Sequence, residues 1–415
     1  MDKASEKISA LYLCYDGMTD PLGQSQVIPY LKGLAKKGVA FHLISFEKKQ
    51  AFQKNKALIS TILKEANIHW HPLKYTKQPP VLSTLFDIER LFIKVKSLDK
   101  KHNFDLIHCR GYITSMVGLR MKLNFKLPFV FDMRAFYADE RVDGGHWKQS
   151  NFLFRKVYQF FKRKELEFLE NAAYTVSLTE KGKTIIHSWE KVKNNPVPIQ
   201  VIPCCADLEL FDYRSVNQEE INALKTKLGI NRGEKVLVYS GSVGTWYLPD
   251  EMLDFYNVFR KKYSSTKFLF LTTEQPEFIL QKVRAKKIPE SEIIITASSR
   301  DAMPLHLAVA DYSIFFIKPV FSKSGSSPTK MGEIMGMGIP LICNSGVGDV
   351  DLIVEDTNCG VCVNEFNYSA YEASLSQLED SKFDKAHIRK GAFKYYDLSL
   401  GVDRYWEVYN EILQQ

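Results

Sequence analysis

The chain has 415 residues, 45% hydrophobic and 25% charged, which excludes a disordered chain and a single small domain and leaves room for two globular domains. Its formal net charge of +8 is uneven: residues 1–200 carry 33 Lys and Arg against 19 Asp and Glu, a balance of +14, whereas residues 201–415 carry 23 against 29, a balance of −6. No run of 18 apolar residues occurs, so no membrane-spanning helix is expected, and seven scattered cysteines, an odd number, fit a reducing cytoplasm better than a disulfide framework.

The first apolar stretch, ISALYLCY (8–15), is short and stops at Asp16, so it predicts a β-strand rather than a signal peptide. Further strands are predicted at AFHLISF (40–46), NIHWHPL (67–73), FDLIHCR (104–110), LPFVFDM (127–133) and AYTVSLT (173–179), separated by amphipathic stretches such as 24–37 and 85–101. Such alternation predicts a parallel sheet with helices on both faces. NPVPIQVIPCCADLELFDY (195–213), with its three prolines, predicts a linker. The rhythm then restarts, with strands at 234–242, 266–274, 291–297, 310–318, 339–344 and 359–365. The expected organisation is α/β, with one Rossmann-like domain over 1–203, a second over 204–398, and a terminal helix over 399–415 that closes the second domain or crosses back to the first. Two open α/β sheets facing each other across a cleft bind ligands at the carboxyl ends of their strands.

The loops after those strands carry the candidate chemistry. In DGMTDPLGQSQ (16–26), Pro21 and Gly23 make a turn, and a helix starting at Gln24 or Ser25 offers free N–H groups to a phosphate or sugar oxygen. Gly23 and Gln24 are therefore candidate diphosphate contacts, and Asp16 lies on the acceptor side. FVFDMRAFYADERVDGGHW (129–147) places a very polar loop directly after a buried strand, a source of an acceptor site and a general base. Asp132 and Arg134, nearest the strand end, are the catalytic candidates, with Asp139 and Glu140 on the acceptor side. NFLFRKVYQFFKRKELEFLENAA (151–173) predicts a helix mixing aromatics and bases, which suits an anionic bilayer surface or a core helix with a solvated basic face.

In YSGSVGTWYLPDEML (239–253), Gly241 and Gly244 permit a sharp turn, and Gly241 and Ser242 are candidate donor contacts. The GxxxxGK[ST] pattern is absent, which disfavours an ATPase. FFIKPVFSKSGSSPTKMGEIMGMGIP (315–340) is the densest candidate: Lys318, Lys323 and Lys330 surround Ser326, Ser327 and Thr329 at a helix start that Ser327 or a neighbour is expected to cap. Ammonium groups, hydroxyls and a helix N-terminus together suit a diphosphate. Lys323 is the candidate that takes up charge developing on the leaving group, and Glu333, one turn further, suits the paired hydroxyls of a ribose. No metal site is expected. Asp349 in GVGDVDLIVED reads as a helix cap rather than part of a metal-binding DxD, Cys359 and Cys362 form an isolated CxxC within a strand, and HWH (69–71) has no evident third ligand.

Over nearly its full length the chain resembles the retaining glycosyltransferases of the GT-B fold, specifically glycosyltransferase family 4. SSPTKMGEIMGMGIPLICNSGVGDVDLIVEDTNCGVCV is similar to the family's donor-binding segment, GQSQVIPYLKGLAKKGVAFHLISF to its N-terminal loop and helix, and VIPCCADLELF to its interdomain stretch. The resemblance implies that Glu333 is the ribose-binding second Glu of an E-x7-E pair, and that Gly325 stands where the first Glu, which contacts the sugar, is expected. The family's basic residues after the first strand of its second domain are absent from GSVGTWY, so Lys318, Lys323 or Lys330 is expected to replace them. The implied activity is transfer of a sugar from a nucleotide-diphosphate donor to a hydroxyl of a glycan or polyprenyl-linked acceptor, with retention and without a metal or other cofactor. The setting implied is surface-polysaccharide synthesis in the cytoplasm, at the inner face of an anionic membrane reached by the basic N-terminal half. A nucleotide-sugar 2-epimerase of the same fold and a non-catalytic nucleotide-sugar-binding protein are the alternatives. No nucleic-acid reader motif is present.

Overall fold

The computed structural model describes residues 8–414. The chain forms two compact units, one running to Pro203 and resuming at Leu398, the other spanning Cys204–Asp397.

The first unit is built on strands β1 (Ser9–Cys14), β2 (Ala40–Glu47), β3 (His69–Lys74), β4 (Leu106–Arg110), β5 (Phe129–Asp132), β6 (Tyr174–Ser177) and β7 (Ile199–Val201). They pair in parallel in the order β3-β2-β1-β4-β5-β6-β7. The central strands are continuous apolar runs because helices cover both faces: Ala10, Leu11, Leu13, Phe41, Leu43, Ile44, Phe129, Val130 and Phe131 are fully buried. β3 is an edge strand with half-exposed side chains, which accounts for its polar content. β7 lies in the stretch expected to be a linker. It is only three residues long and lies between Pro198 and Pro203, an arrangement tolerated at a sheet edge, where Pro198 still gives its carbonyl to Thr175 N at 3.0 Å.

The expected helix at 24–37 is two helices, Pro21–Gln26 and Ile28–Lys36, broken at Val27 (φ −125°, ψ −60°). The C-terminal helix Leu398–Gln414 packs on the second of these within the first unit. Gly33 is required there, since a β-carbon on it would stand 2.5 Å from Val402 Cγ2. From that helix Tyr409 bonds His108 Nδ1 at 2.8 Å, and Tyr405 donates to Asp132 Oδ2 at 3.2 Å.

The second unit repeats the plan with β8 (Lys235–Ser240), β9 (Thr266–Leu271), β10 (Ile293–Thr296), β11 (Tyr312–Phe315), β12 (Leu341–Asn344) and β13 (Gly360–Val363). Their order is β10-β9-β8-β11-β12-β13, again parallel. Its core runs from Val236 and Tyr239 through Phe255, Phe268 and Ile314 to Ile342 and Tyr396. Arg389 is buried and donates to the carbonyls of Leu208 (2.7 Å), Phe211 (2.6 Å) and Gly336 (2.8 Å), tying the segment after Pro203 to this unit. Among the described residues no helix is long and apolar enough to cross a membrane.

Candidate functional site

In an open parallel sheet, ligands sit at the carboxyl ends of the strands where the order reverses. In the first unit that point lies between β1 and β4. Asp16 follows β1, Arg110 ends β4, and Arg110 Nη1 meets Asp16 Oδ2 at 2.8 Å. The guanidinium is buried and the carboxylate half-exposed, so this ion pair presents one face to solvent.

The turn after β1 is held from below. Glu47, buried at the end of β2, accepts from Met18 N (2.8 Å), Thr19 N (3.2 Å), Thr19 Oγ1 (2.5 Å) and Ser45 Oγ (2.6 Å). Close approach requires Gly17 and Gly23: a β-carbon on Gly17 would stand 2.8 Å from Glu47 Oε2, and one on Gly23 would stand 2.3 Å from Gly17 O. The helix here begins at Pro21, not at Gln24 or Ser25, and is only six residues long. Gly23 is therefore a buried packing residue inside the helix, and Gln24 Nε2 donates back to Thr19 O at 3.1 Å. Their expected diphosphate contacts give way to these internal roles.

Asp132 was expected as a general base, but it is fully buried and bonded by Tyr405 and, at 3.4 Å, by His108. Burial alone raises its pKa. The Arg134 guanidinium, Nη1 3.6 Å from Oδ1, outweighs burial together with His108 and Arg110 and holds the carboxyl down at about 2. A carboxylate so stabilised and so enclosed is an anchor rather than a base. Arg134 is partly exposed and adopts φ +64°, the left-handed region that a non-glycine residue rarely occupies. Asp139 is also a structural acid, accepting from Tyr158 OH at 2.9 Å and Lys162 Nζ at 3.0 Å. Glu140 lies partly buried on the same short helix, Tyr137–Asp143.

In the second unit the order reverses between β8 and β11. The loop after β8 carries Gly241 (φ +124°), Ser242, Gly244 (φ +102°) and Thr245 (φ +53°), three left-handed residues within five. Ser242 is exposed, and its carbonyl accepts from Tyr239 OH. Across the switch point, the segment after β11 runs through exposed Lys318 to a short 3-10 turn, Phe321–Gly325, and the helix Thr329–Gly336. Lys330, in the first turn of that helix, is buried with its ammonium over the rings of Tyr247 (3.7 Å) and Tyr239 (4.3 Å). Among the described residues its Nζ has no hydrogen-bond partner. Burial pushes its pKa down to about 7, opposed only by Glu333.

Glu333, one turn on, is mostly buried, and burial pushes it up to about 7 against the pull of Arg300 and Lys330. Arg300 Nη1 lies 3.6 Å from Glu333 Oε1. Lys323 is buried with its ammonium 3.7 Å above the Trp246 ring. Ser326 and Thr329 are partly exposed beside the helix start. Ser327 does not cap the helix. Pro328 occupies the N-cap, and Ser327 Oγ instead accepts from Cys204 N at 3.2 Å. Nor does the Asp349 side chain bond the first turn of the helix that it precedes; Asp351 Oδ2 instead accepts from Gly346 N at 3.0 Å.

The structure thus brings together Gly241, Lys330, Glu333 and Arg300 in one unit, and Asp16, Arg110 and Arg134 in the other. Arg110, Arg300 and Glu47 escaped the sequence reading. Each ends or follows an apolar strand, which is the one signal that could have marked them. HWH also gains neighbours, since the rings of His42, His69, His71 and His102 cluster at the β2–β3 edge, yet among the described residues no three ligating side chains form a metal-sized group.

Comparison with known proteins fits this arrangement. The family profile Glycosyltransferase Family 4 matches residues 25–210. That match covers most of the first unit. The chain is 26% identical over 151 residues to the alpha-monoglucosyldiacylglycerol synthase of Streptococcus pneumoniae, a match spanning 36% of this chain and 32% of that relative. Its fold is similar to that of sucrose-phosphate synthase from Thermosynechococcus elongatus, with a TM-score of 0.73, 13% identity, and 98% and 99% of the two chains covered. It is also similar to Anabaena HepE in complex with UDP and glucose, with a TM-score of 0.68, 13% identity, and 96% and 98% covered. At such identities the likeness shows the fold, which is GT-B.

Proposed function

We propose that this protein transfers a glycosyl unit from a nucleotide-diphosphate sugar to a hydroxyl of a glycan or lipid-linked glycan, with retention of anomeric configuration. The observation that carries the reading is Lys330, a buried ammonium without a hydrogen-bond partner among the described residues, facing the Gly241 turn with Glu333 one helical turn away. Leaving a cation buried without a hydrogen-bond partner is costly, and a diphosphate entering the turn would offset that cost. Glu333 would then accept from the ribose hydroxyls. The solved complex of HepE with UDP and glucose, on the same fold, supports the nucleotide class.

Lys318, Lys323 and Lys330, with Ser242, Ser326 and Thr329, would neutralise the leaving diphosphate, so the proposed mechanism uses electrostatic stabilisation and no metal. The lysines would also stand in for the family's basic residues that GSVGTWY lacks. The proposed setting is the cytoplasmic face of a membrane during surface-polysaccharide synthesis, with the basic first unit against anionic lipid. A panel of nucleotide sugars, each incubated with and without a polyprenyl-linked acceptor, tests this. Acceptor-dependent release of nucleoside diphosphate and an α- or β-product matching the donor are expected. Failure to bind any nucleoside diphosphate would overturn the reading.

A further inference from the structure

The first unit contains an apolar cavity of about 420 Å³, in the size range of small-molecule sites. It lies among the start of the helix Leu82–His102 and the helices Tyr112–Phe125, Tyr137–Asp143 and Phe152–Asn171. Leu85, Ile88, Ile113, Met116, Trp147 and Phe160 supply its walls. Its charged lining residues are Arg141 and Lys156, and no carboxylate lines it. Leu82, Leu85, Phe86, Phe152 and Leu153 are exposed on the two helices that flank it.

Three features define the occupant. The apolar walls give water few partners and suit hydrocarbon. The two cations, each resting on an aromatic ring (Arg141 over Tyr137 at 5.0 Å, Lys156 over Phe152 at 5.5 Å), call for an anion attached to that hydrocarbon. The neighbouring acid Asp139 does not compete, because it is engaged by Tyr158 and Lys162. Finally, Ile113 follows Arg110 by three residues and Tyr137 follows Arg134 by three, a chain reach of roughly 10 Å. The cavity wall at Ile113 and Tyr137 is thus within that chain distance of Arg110 and Arg134.

We propose that the cavity binds the hydrocarbon segment of a lipid-phosphate acceptor, with the phosphate held by Arg141 and Lys156. The acceptor role rests on the glycosyltransferase reading above; the binding itself does not. The test uses the full chain and farnesyl phosphate, followed through the emission of Trp147, with Trp147→Phe to assign the signal. Saturable binding is expected, weakened about tenfold for each of Arg141→Ala and Lys156→Ala and for farnesol, which lacks the phosphate. Met116→Trp, which fills the cavity, should abolish binding while an unchanged melting temperature shows that it folds; Ile113→Phe is the second filling variant. In turnover, the same variants should raise the KM for a polyprenyl-diphosphate-linked glycan acceptor and leave the KM for the nucleotide sugar unaltered. Absence of farnesyl phosphate binding in a protein that consumes nucleotide sugar would overturn the cavity assignment and leave the activity standing. Cavity-dependent binding with transfer only to water-soluble glycans would overturn the acceptor role.

Discussion

Lys330 Nζ lies 2.8 Å from the point where a β-carbon on Gly241 would stand. The glycine is therefore doubly constrained, by a backbone of φ +124° and by the ammonium that fills the space a side chain would take. Gly241→Ala must strain the turn or displace Lys330, and either removes the cation from the proposed diphosphate position. We expect nucleoside diphosphate affinity to fall at least about tenfold, with a stability loss of about 1 kcal/mol. Calorimetric titration checks the first and denaturant unfolding the second. Unchanged affinity would detach Lys330 from the ligand.

The Lys330 pKa near 7 makes binding pH-dependent, and its sign can be stated. Burial depresses the pKa; a bound diphosphate favours the charged form and raises it again. Above pH 7 the free protein holds this amine mostly neutral, so binding takes up a proton and affinity falls as pH rises. Nucleoside diphosphate titrations in buffers of different ionisation enthalpy should show net proton uptake at pH 8 that disappears in Lys330→Met.

Glu333 depends on Arg300. Burial pushes its carboxyl up to about 7, and Arg300 is the stronger of the two cations that oppose this. Arg300→Ala raises the pKa further, so at neutral pH the carboxyl is protonated and loses acceptor strength. The consequence is selective: the preference for ribose over 2′,3′-dideoxyribose in the bound nucleotide should shrink several-fold, while affinity for inorganic diphosphate is retained. An unaltered ribose preference in both Arg300→Ala and Glu333→Gln would remove the ribose assignment.

Much of this arrangement is legible in the chain because doubly covered strands are continuous apolar runs. Twelve of the thirteen strands among the described residues fall on short stretches that the sequence marks as strands, the edge strand β3 despite its polar content, and the loops after them mark the switch points. β7 escapes because three residues between prolines carry no periodic signal, and only the edge pairing with β6 makes them a strand. Lys330 and Glu333 are visible as residue types, but that one is an orphaned cation and the other is steered by Arg300 follows from packing alone. Asp132 misleads for a related reason. An acid after an apolar strand suggests an open loop, whereas here it is the last residue of β5 and a helix nearly 270 residues later covers it.

The histidines at the β2–β3 edge set an acid limit on the first unit. His42 Nδ1 and His71 Nε2 lie 3.0 Å apart, which requires at least one neutral ring. Burial, with neighbouring histidines, Lys94 and Lys101 adding to it, pushes both pKa values down to about 4. Between pH 6.5 and 4 the unfolded chain binds protons that the folded chain refuses, so stability falls with pH in that window, by on the order of 1–2 kcal/mol after solvent screening. Unfolding of His71→Gln across the same range should show a shallower slope.

The buried Asp132 has its own test, because an anchor and a general base predict different losses. Tyr405 OH donates to its Oδ2 at 3.2 Å, and His108, bonded in turn by Tyr409, completes the contact with the C-terminal helix. Removing one partner leaves the other buried and unsatisfied, which costs about 1–3 kcal/mol. Asp132→Asn and Tyr405→Phe should each lower stability by that amount, and the double variant should lose less than the sum, since both delete one contact. Tyr405 touches no proposed ligand group, so transfer activity per folded molecule should fall little in either variant. A base would behave otherwise: Asp132→Asn would lose activity by orders of magnitude at unchanged stability, and Tyr405→Phe would not follow it.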